Sequence, residues 1–144
     1  MIPRCTYTTP EVAGTGASEQ ELTDAGTEFD TYTSQLQHND RAILEGSDEG
    51  FCKLLVAKGS GEILGGTIVA ENAGDMISEV TLAIQVGIEL GGIARTIHPY
   101  PTVAECIAGC AFQYKAKHWQ TKDNKHWKKS GGRPTFRNPD SYSA

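Results

Sequence analysis

The segment TIHPYPTVAE, residues 96–105, brings together three side chains that can hold or transfer a proton. These are His98, Tyr100 and Glu105, and a proline lies on each side of the tyrosine. Two prolines this close together stiffen the backbone and remove two N–H donors. A phenol ionises at about pH 10, so it is a poor base at neutral pH. The spacing predicts a rigidly held phenol directly before a helix.

Each of these side chains also has a purely structural interpretation. Thr102 and Glu105 have the S/T-x-x-E spacing of a capping box, in which the carboxylate binds a backbone N–H at the start of a helix. His98 can fix its loop through hydrogen bonds, and Tyr100 can pack at the edge of the domain. The residues by themselves leave both the structural and the functional interpretations open.

The strands predicted around this segment form one sheet. The β-rich runs Phe51–Lys58 and Ile63–Ala70 are separated by GSGE, which is a hairpin signal. Gly65 and Gly66, inside the second run, mark a bulge or a place where another group packs closely. Alternating residues predict a strand at Phe29–Gln37, and CTYTTPEVAGTG predicts two short extended pieces broken at a proline.

Two main helices are predicted beside these strands. The first lies in AENAGDMISEVTLAIQVGIELGG and ends at Gly91-Gly92; the second begins at Thr102. A short helix in SEQELTDAG has capping-box spacing, and NDRAILEG predicts a helical turn. We therefore expect an α+β fold, an antiparallel sheet of four to five strands with two main helices on one side. On the first main helix, Leu82 and Val86 lie opposite the main apolar stripe and hint at a second packing partner.

The motifs of several enzyme classes are absent from the sequence. GTGASE and GSGEIL lack the third glycine of a dinucleotide fingerprint, and no GxxxxGK[ST], HExxH or GxSxG is present. The four cysteines, Cys5, Cys52, Cys106 and Cys110, show no CxxC spacing. Cys106 and Cys110 can form half of a metal site, but no second pair has ligand spacing, so small buried thiols and no metal are expected.

Composition favours a single-domain intracellular protein with no membrane span. The chain has 144 residues, no apolar run of the roughly 18–20 residues that span a bilayer, and no secretion signal at its start. We expect reduced thiols and therefore an intracellular location. The strand-like pattern close to Met1 suggests a piece of something longer.

A basic tail is predicted at residues 115–144, behind a domain formed by residues 1–114. The tail carries eight Lys/Arg and two Asp/Glu, whereas residues 1–114 have a net charge of −11. Such a tail can fold back on the acidic body, bind an anion or stay solvated. It repeats KHW at residues 117–119 and 125–127, which allows an alternative function as an interaction module for nucleic acid or an acidic partner. The acidic body argues against nucleic acid.

Four motifs, in order, resemble one family over residues 2–114. They are PRCTYTTPEVAGTG, NDRAILEG, EGFCKLLVAKGSGEILGGTIVAENAGDMISEV and TIHPYPTVAE. The chain resembles the C-terminal dimerisation domain of flavin-dependent pyridine nucleotide-disulfide oxidoreductases, with the mercuric-reductase-like proteins as the most similar subgroup. The resemblance implies a homodimer and upstream domains that bind FAD and NAD(P) and carry the redox disulfide. It also implies that this chain binds no cofactor and is inactive alone.

The resemblance implies roles for the segment described first. Tyr100 and Glu105 match the family's catalytic positions, while His98, Tyr100 and Pro101 would lie at the partner subunit's flavin. A cis bond between Tyr100 and Pro101 is expected. The dehydrogenase and glutathione reductase branches have histidine where this chain has Tyr100, which disfavours turnover of their thiol substrates. The vicinal Cys-Cys pair of the mercuric reductase branch is not matched either, so the substrate is left open.

Overall fold

One five-stranded antiparallel sheet, with the spatial order β1-β2-β5-β4-β3, organises the chain. The computed structural model describes residues 2–129, with side chains through residue 118. The strands are β1 (Arg4–Thr6), β2 (Glu11–Gly16), β3 (Phe29–Gln35), β4 (Phe51–Ala57) and β5 (Ile63–Ala70). The helices are α1 (Glu19–Asp24), α2 (Asp40–Glu45), α3 (Ala73–Gln85), α4 (Leu90–Ile93) and α5 (Glu105–Lys129), with a 3-10 turn at Leu36–His38. The predicted α+β fold is confirmed.

The predicted hairpin pairs β4 with β5 at the centre of the sheet. Each of the two glycines inside β5 lies close to a different neighbouring group. The register between these strands shifts at Leu55/Val56, whose partners are Gly65 and Ile63, so an irregularity lies next to the glycine pair. A Cβ on Gly65 would lie 2.0 Å from the carbonyl oxygen of Ala17, and a Cβ on Gly66 would lie 3.0 Å from Cγ1 of Val80 on α3. Glycine at both positions therefore allows close approach of another group.

Helices α3 and α5 cover the same face of the sheet. Leu54, Gly66 and Ala13 point to this face, because paired residues of neighbouring strands share a side. Helix α3 packs on β2 and β5, whereas α5 packs on β3 and β4. The core between them is apolar, and its largest fully buried aliphatic side chains are Leu36, Leu54, Ile63, Ile68, Leu90, Ile107, Val56 and Val80.

The opposite face of the sheet carries the short helix α1. Its predicted capping box is present: the backbone N–H of Ser18 donates to Glu21 at 2.7 Å, and the Ser18 hydroxyl accepts from the Glu21 N–H at 3.2 Å. Lys53 of β4 reaches across to Glu19 at 2.8 Å. Leu22 is buried, so this small helix closes part of the second face.

Helix α3 ends earlier than predicted. It stops at Gln85, and Gly87 then adopts a positive φ of 72°. The N–H of Gly87 donates to the carbonyl of Ile84, and that of Ile88 donates to the carbonyl of Ala83. These two bonds form a Schellman motif, which favours glycine at the first residue beyond the cap. The Gly91-Gly92 pair, expected to end this helix, instead lies inside α4.

Helix α5 differs from its prediction at both ends. It begins at Glu105 rather than Thr102, and it continues through Lys129, so the predicted irregular tail starts as a helix. Tyr114 of α5 forms an edge-on aromatic pair with Tyr32 of β3, with ring centroids 5.6 Å apart. The Gln113 side chain donates to the carbonyl of Thr33 at 2.7 Å. These contacts attach α5 to the edge strand. Among the described residues, no helix is both long and apolar enough to cross a membrane.

Substituting Gly65 by alanine should destabilise the fold, because the new methyl group would collide with the backbone of residue 17. We expect the free energy of unfolding to fall by about 1–3 kcal/mol, as in other overpacked sites. Urea denaturation followed by circular dichroism measures the change. Gly14→Ala in the neighbouring strand is the matched control, because its nearest contact would be 3.6 Å away. Equal stability of the two variants would contradict the close approach.

Candidate functional site

Tyr100 lies at the surface with its hydroxyl bound to a single carboxylate. The phenol donates a hydrogen bond to Oδ2 of Asp40, at the start of α2, with an oxygen–oxygen distance of 2.5 Å. The tyrosine remains 69% exposed. The peptide bond between Tyr100 and Pro101 is cis, as expected. The segment thus presents an oriented phenol to whatever approaches the domain.

The side chain of Asn39 holds the two halves of this pair together. Its Oδ1 accepts from the N–H of Ala42 at 3.0 Å and caps α2. Its Nδ2 donates to the carbonyls of Thr102, at 3.0 Å, and Val103, at 3.4 Å. Asn39 is only 7% exposed. A buried amide with both ends bound fixes the start of α2 against the turn that precedes α5.

The hydrogen bond that Tyr100 donates to Asp40 raises the pKa of the phenol, and the negative charges of Asp40 and Glu105 act in the same direction. The phenol is therefore held in its protonated form. Because the folded-state pKa lies above the unfolded value of about 10, the stability from this bond is present below that pH. It is lost as the pH rises through the folded-state pKa. Tyr100 is a donor in this arrangement, not a base.

Glu105 caps the helix that it begins. Its Oε2 accepts from the backbone N–H of Thr102 at 3.2 Å, which is the capping-box contact that the spacing predicts. The Thr102 hydroxyl donates instead to the carbonyl of Pro99 at 2.9 Å. Glu105 does not hydrogen-bond Tyr100; the carboxylate that does so, Asp40, was not among the predicted site residues. Its signal was the NDRAILEG motif, which indicated a helical turn but gave no partner.

His98 fixes its loop against α3. Its Nε2 lies 2.9 Å from Glu79 Oε1, and its Nδ1 lies 3.1 Å from the carbonyl oxygen of Thr96. A carbonyl and a carboxylate are both acceptors, so the ring satisfies both contacts when each nitrogen carries a proton. The imidazole therefore lies against the domain and connects its loop to α3. Pro101 is half-buried beside the tyrosine.

A shallow cleft of about 200 Å³ lies beside the phenol. It is lined by Ser34, His38, Asn39, Asp40, Tyr100, Glu105, Cys106, Gly109 and Phe112. Pockets that enclose a ligand usually measure about 300–1,000 Å³. The cleft formed by these residues is therefore smaller than a pocket that usually encloses a ligand. His38 is, with Asp40, among the cleft residues that sequence reasoning missed, because residues of a short 3-10 turn carry no periodic signal.

The cysteines form a buried group behind the cleft. Cys52, Cys106 and Cys110 are buried free thiols, as expected, whereas Cys5 is half-buried. Hydrogen bonding to Cys106 and Cys110, together with burial, raises the pKa of Cys52 well above its ordinary value. A protonated buried thiol is unreactive. Within the described part of the chain, no group of three or more His, Cys, Asp and Glu side chains has a geometry that could hold a metal ion.

The first residues of the predicted tail are bound to the body. Lys117 lies 3.0 Å from Asp30, and His118 stacks on Tyr114 with ring centroids 4.4 Å apart. This is the fold-back interpretation of the tail, here through β3 and α5. The tryptophans of the two KHW repeats lie outside the described side chains.

Solved structures share this fold. LpdA from Mycobacterium tuberculosis superposes with a TM-score of 0.75 and 26% identity, over 78% of this chain and 25% of that protein. The Cu(II) complex of the HOCl-induced flavoprotein disulfide reductase RclA from Escherichia coli gives a TM-score of 0.74 at 19% identity, over 78% of this chain and 25% of RclA. The fold is therefore that of a domain found in flavoprotein disulfide reductases.

The sequence comparisons narrow this class. Residues 2–110 match the family described as pyridine nucleotide-disulphide oxidoreductase, dimerisation domain. The chain is 39% identical to the mercuric reductase of Streptomyces lividans, over 74% of this chain and 22% of that protein. It is 42% identical to the dihydrolipoamide dehydrogenase of Chaetomium thermophilum, over 82% of this chain and 24% of that protein.

The chain belongs to the dimerisation-domain family of the pyridine nucleotide-disulphide oxidoreductases. It spans less than a quarter of the length of these two relatives. The resemblance read from the sequence motifs is confirmed.

The Asn39 contacts generate a stability prediction. Asn39→Asp keeps the oxygen that caps α2 but places a second acceptor against the Thr102 carbonyl, so we expect a loss of about 1–3 kcal/mol in the free energy of unfolding. Asn39→Ala also removes the cap and should lose about 0.5–2 kcal/mol more. Chemical denaturation measures both. The exposed neighbour Gln37→Ala should stay within about 0.5 kcal/mol of the parent chain. An Asn39→Asp variant as stable as Gln37→Ala would refute this role.

Proposed function

We propose that this chain is the dimerisation domain of an FAD-dependent pyridine nucleotide-disulfide oxidoreductase. In this proposal it pairs with a second copy and contributes residues 98–102, His-Pro-Tyr-Pro-Thr, to the flavin and disulfide site of the partner subunit. The chain by itself is inactive, because FAD and NAD(P) bind to upstream domains of a longer enzyme. FAD, when bound there, carries the electrons.

The observation that carries this proposal is the exposed, oriented phenol. A tyrosine that served only as packing would bury its ring, yet Tyr100 is 69% exposed with its hydroxyl held by Asp40. Its neighbour Ile97 is 96% exposed. A single exposed apolar side chain is ordinary, but an exposed apolar patch bordered by polar groups is typical of a surface that another protein covers. Because the family is described as a dimerisation domain, a second subunit is the partner that we propose.

Helix α3 provides further apolar surface for that contact. Leu82 and Val86 are 60% and 58% exposed on its outer side, as the helical pattern predicted. Glu79, one turn before Leu82, binds His98 and so ties the loop of Ile97 to this same helix. The exposed side chains of α3 and of the loop therefore belong to neighbouring parts of one surface. We assign this surface, Leu82, Val86 and Ile97, to the subunit contact.

The identity of residue 100 bears on the reaction. A phenol held in its protonated form does not accept a proton at neutral pH, so Tyr100 is unsuited to the relay of a histidine-glutamate pair. Glu105, which would complete such a pair, binds the backbone N–H of Thr102 instead. We therefore propose that Tyr100 contacts the substrate or the flavin as a hydrogen-bonding group. Glu105 supports it from the helix start.

Removing the apolar side chains of α3 should weaken self-association. For the double variant Leu82→Ser, Val86→Ser we expect a dimer dissociation constant raised at least about tenfold, which corresponds to about 1.4 kcal/mol. Sedimentation velocity over a range of concentrations measures the constant, and circular dichroism checks that α3 is retained. Ile2→Ser, an exposed apolar residue before β1, is the control and should leave the constant unchanged. A parent chain that stays monomeric at high concentration would sink the assignment.

In the longer enzyme, Tyr100→Phe should slow turnover about tenfold, because one hydrogen bond to the reacting groups is lost. The dimer dissociation constant should hardly change, since the hydroxyl lies in the cleft and the ring is kept. Steady-state NAD(P)H oxidation and sedimentation measure the two quantities. The 144-residue chain with added FAD should oxidise no NAD(P)H and serves as the blank. Unaltered kinetics of the variant would leave Tyr100 as a packing residue.

A further inference from the structure

Asp40 is not one of the positions that match the family's catalytic residues, yet its side chain contacts Tyr100 directly. It is the first residue of α2, and its neighbour Asn39 locks that helix start to the turn before α5. Its carboxylate accepts a hydrogen bond from the Tyr100 hydroxyl, with an oxygen–oxygen distance of 2.5 Å, although the two residues are 60 positions apart in the sequence. Asp40 is exposed, so core packing does not account for its placement.

We propose that Asp40 is the positioning residue for Tyr100: it fixes the direction of the phenol O–H and commits its proton to the domain. Because the proton of Tyr100 is already donated to Asp40, the phenol oxygen can only accept a hydrogen bond from an incoming group. This inference deepens the proposed function and rests on it for the identity of the incoming group. The pairing itself stands on the contacts within this chain.

Two contacts separate the role of Asp40 from that of the other nearby carboxylate. Glu105 is occupied by the backbone N–H of Thr102 and acts on the phenol only through its charge. Asp40 holds the hydroxyl directly. Removing Asp40 therefore frees the phenol to rotate, whereas removing Glu105 weakens the helix start and leaves the phenol bond in place.

The charges around the phenol favour a particular kind of ligand. The titratable groups that line the cleft with Tyr100 are Asp40 from α2, Glu105 from α5, His38 from the 3-10 turn and the buried Cys106 thiol. Among the described residues lining this cleft there is no Lys or Arg. An anionic group would meet two carboxylates and an acceptor oxygen, whereas a neutral donor such as a thiol S–H would meet a suitable acceptor. The pair thus selects for the protonated form of a ligand.

Titration of Tyr100 in the 144-residue chain tests the pairing without any flavin. The chain is labelled with ¹³Cζ-tyrosine, and Tyr100→Phe assigns the resonance. In the parent chain we expect Tyr100 to ionise at higher pH than N-acetyltyrosinamide in the same buffer. Asp40→Asn should lower this midpoint, and Asp40→Glu should restore part of the shift. Asp48→Asn, which removes one acidic group from the loop after α2, is the charge-matched control and should leave the midpoint unchanged.

Relaxation of the Tyr100 ring carbons at pH 7 gives a second measure that needs no alkaline sample. Asp40→Ala, which removes the acceptor, should increase ring motion, and Asp48→Ala should not. A Tyr100 midpoint unchanged in Asp40→Asn, together with ring mobility unchanged in Asp40→Ala, would overturn the inference. Sedimentation of the same samples keeps this result apart from the proposed function. If the chain dimerises but Asp40→Asn leaves the Tyr100 midpoint unchanged, only the role of Asp40 is refuted. If Asp40→Asn lowers the Tyr100 midpoint but the chain is a strict monomer, only the subunit contact is refuted.

Discussion

The buried side-chain amide of Asn39 is the contact on which the site depends. It caps α2 with its oxygen and holds the turn before α5 with its nitrogen, so two segments from distant parts of the chain share one anchor. Because an unpaired buried amide costs about 1–3 kcal/mol, the anchor resists local opening. The anchor places the start of α2 next to the turn before α5, and this brings the Asp40 carboxylate within 2.5 Å of the Tyr100 hydroxyl. An exposed hydrogen bond alone contributes too little to hold a loop in place.

The domain buries most of its thiol groups and leaves the phenol of Tyr100 exposed. Three thiols are buried between the sheet and α5, where hydrogen bonding and burial keep Cys52 protonated. The phenol lies outside, braced by prolines and bound at its hydroxyl. The loop that carries it is tied back to α3 through His98 and Glu79. The buried thiols and the exposed phenol therefore lie in opposite environments of the same domain.

Local signals predicted most elements correctly, because their causes lie within a few residues. The capping box of Ser18 and Glu21, the β4–β5 hairpin and the cap formed by Glu105 are all interactions between near neighbours. The errors arose where two local signals competed. Helix α3 ends at Gln85 because the backbone at Gly87 adopts a left-handed conformation, although the later Gly91-Gly92 pair has the stronger appearance of a stop. Helix α5 continues beyond residue 114 into a segment whose sequence has no apolar stripe. Contacts of Tyr114 and Lys117 with β3 support the helix where this segment begins.

The sequence by itself determined the family, the α+β class, the position of Tyr100 between two prolines and the exposed pair on α3. The family follows from the resemblance of four motifs in their order, and the other features follow from residue order and from periodicities of two and 3.6 residues, which are properties of the chain alone. Only the tertiary structure decided that the partner of Tyr100 is Asp40 rather than Glu105, and that His98 turns inward to Glu79. Side chains separated by 60 and 19 positions meet only after the sheet and its helices have packed, and no local pattern records which of several carboxylates arrives within hydrogen-bond distance.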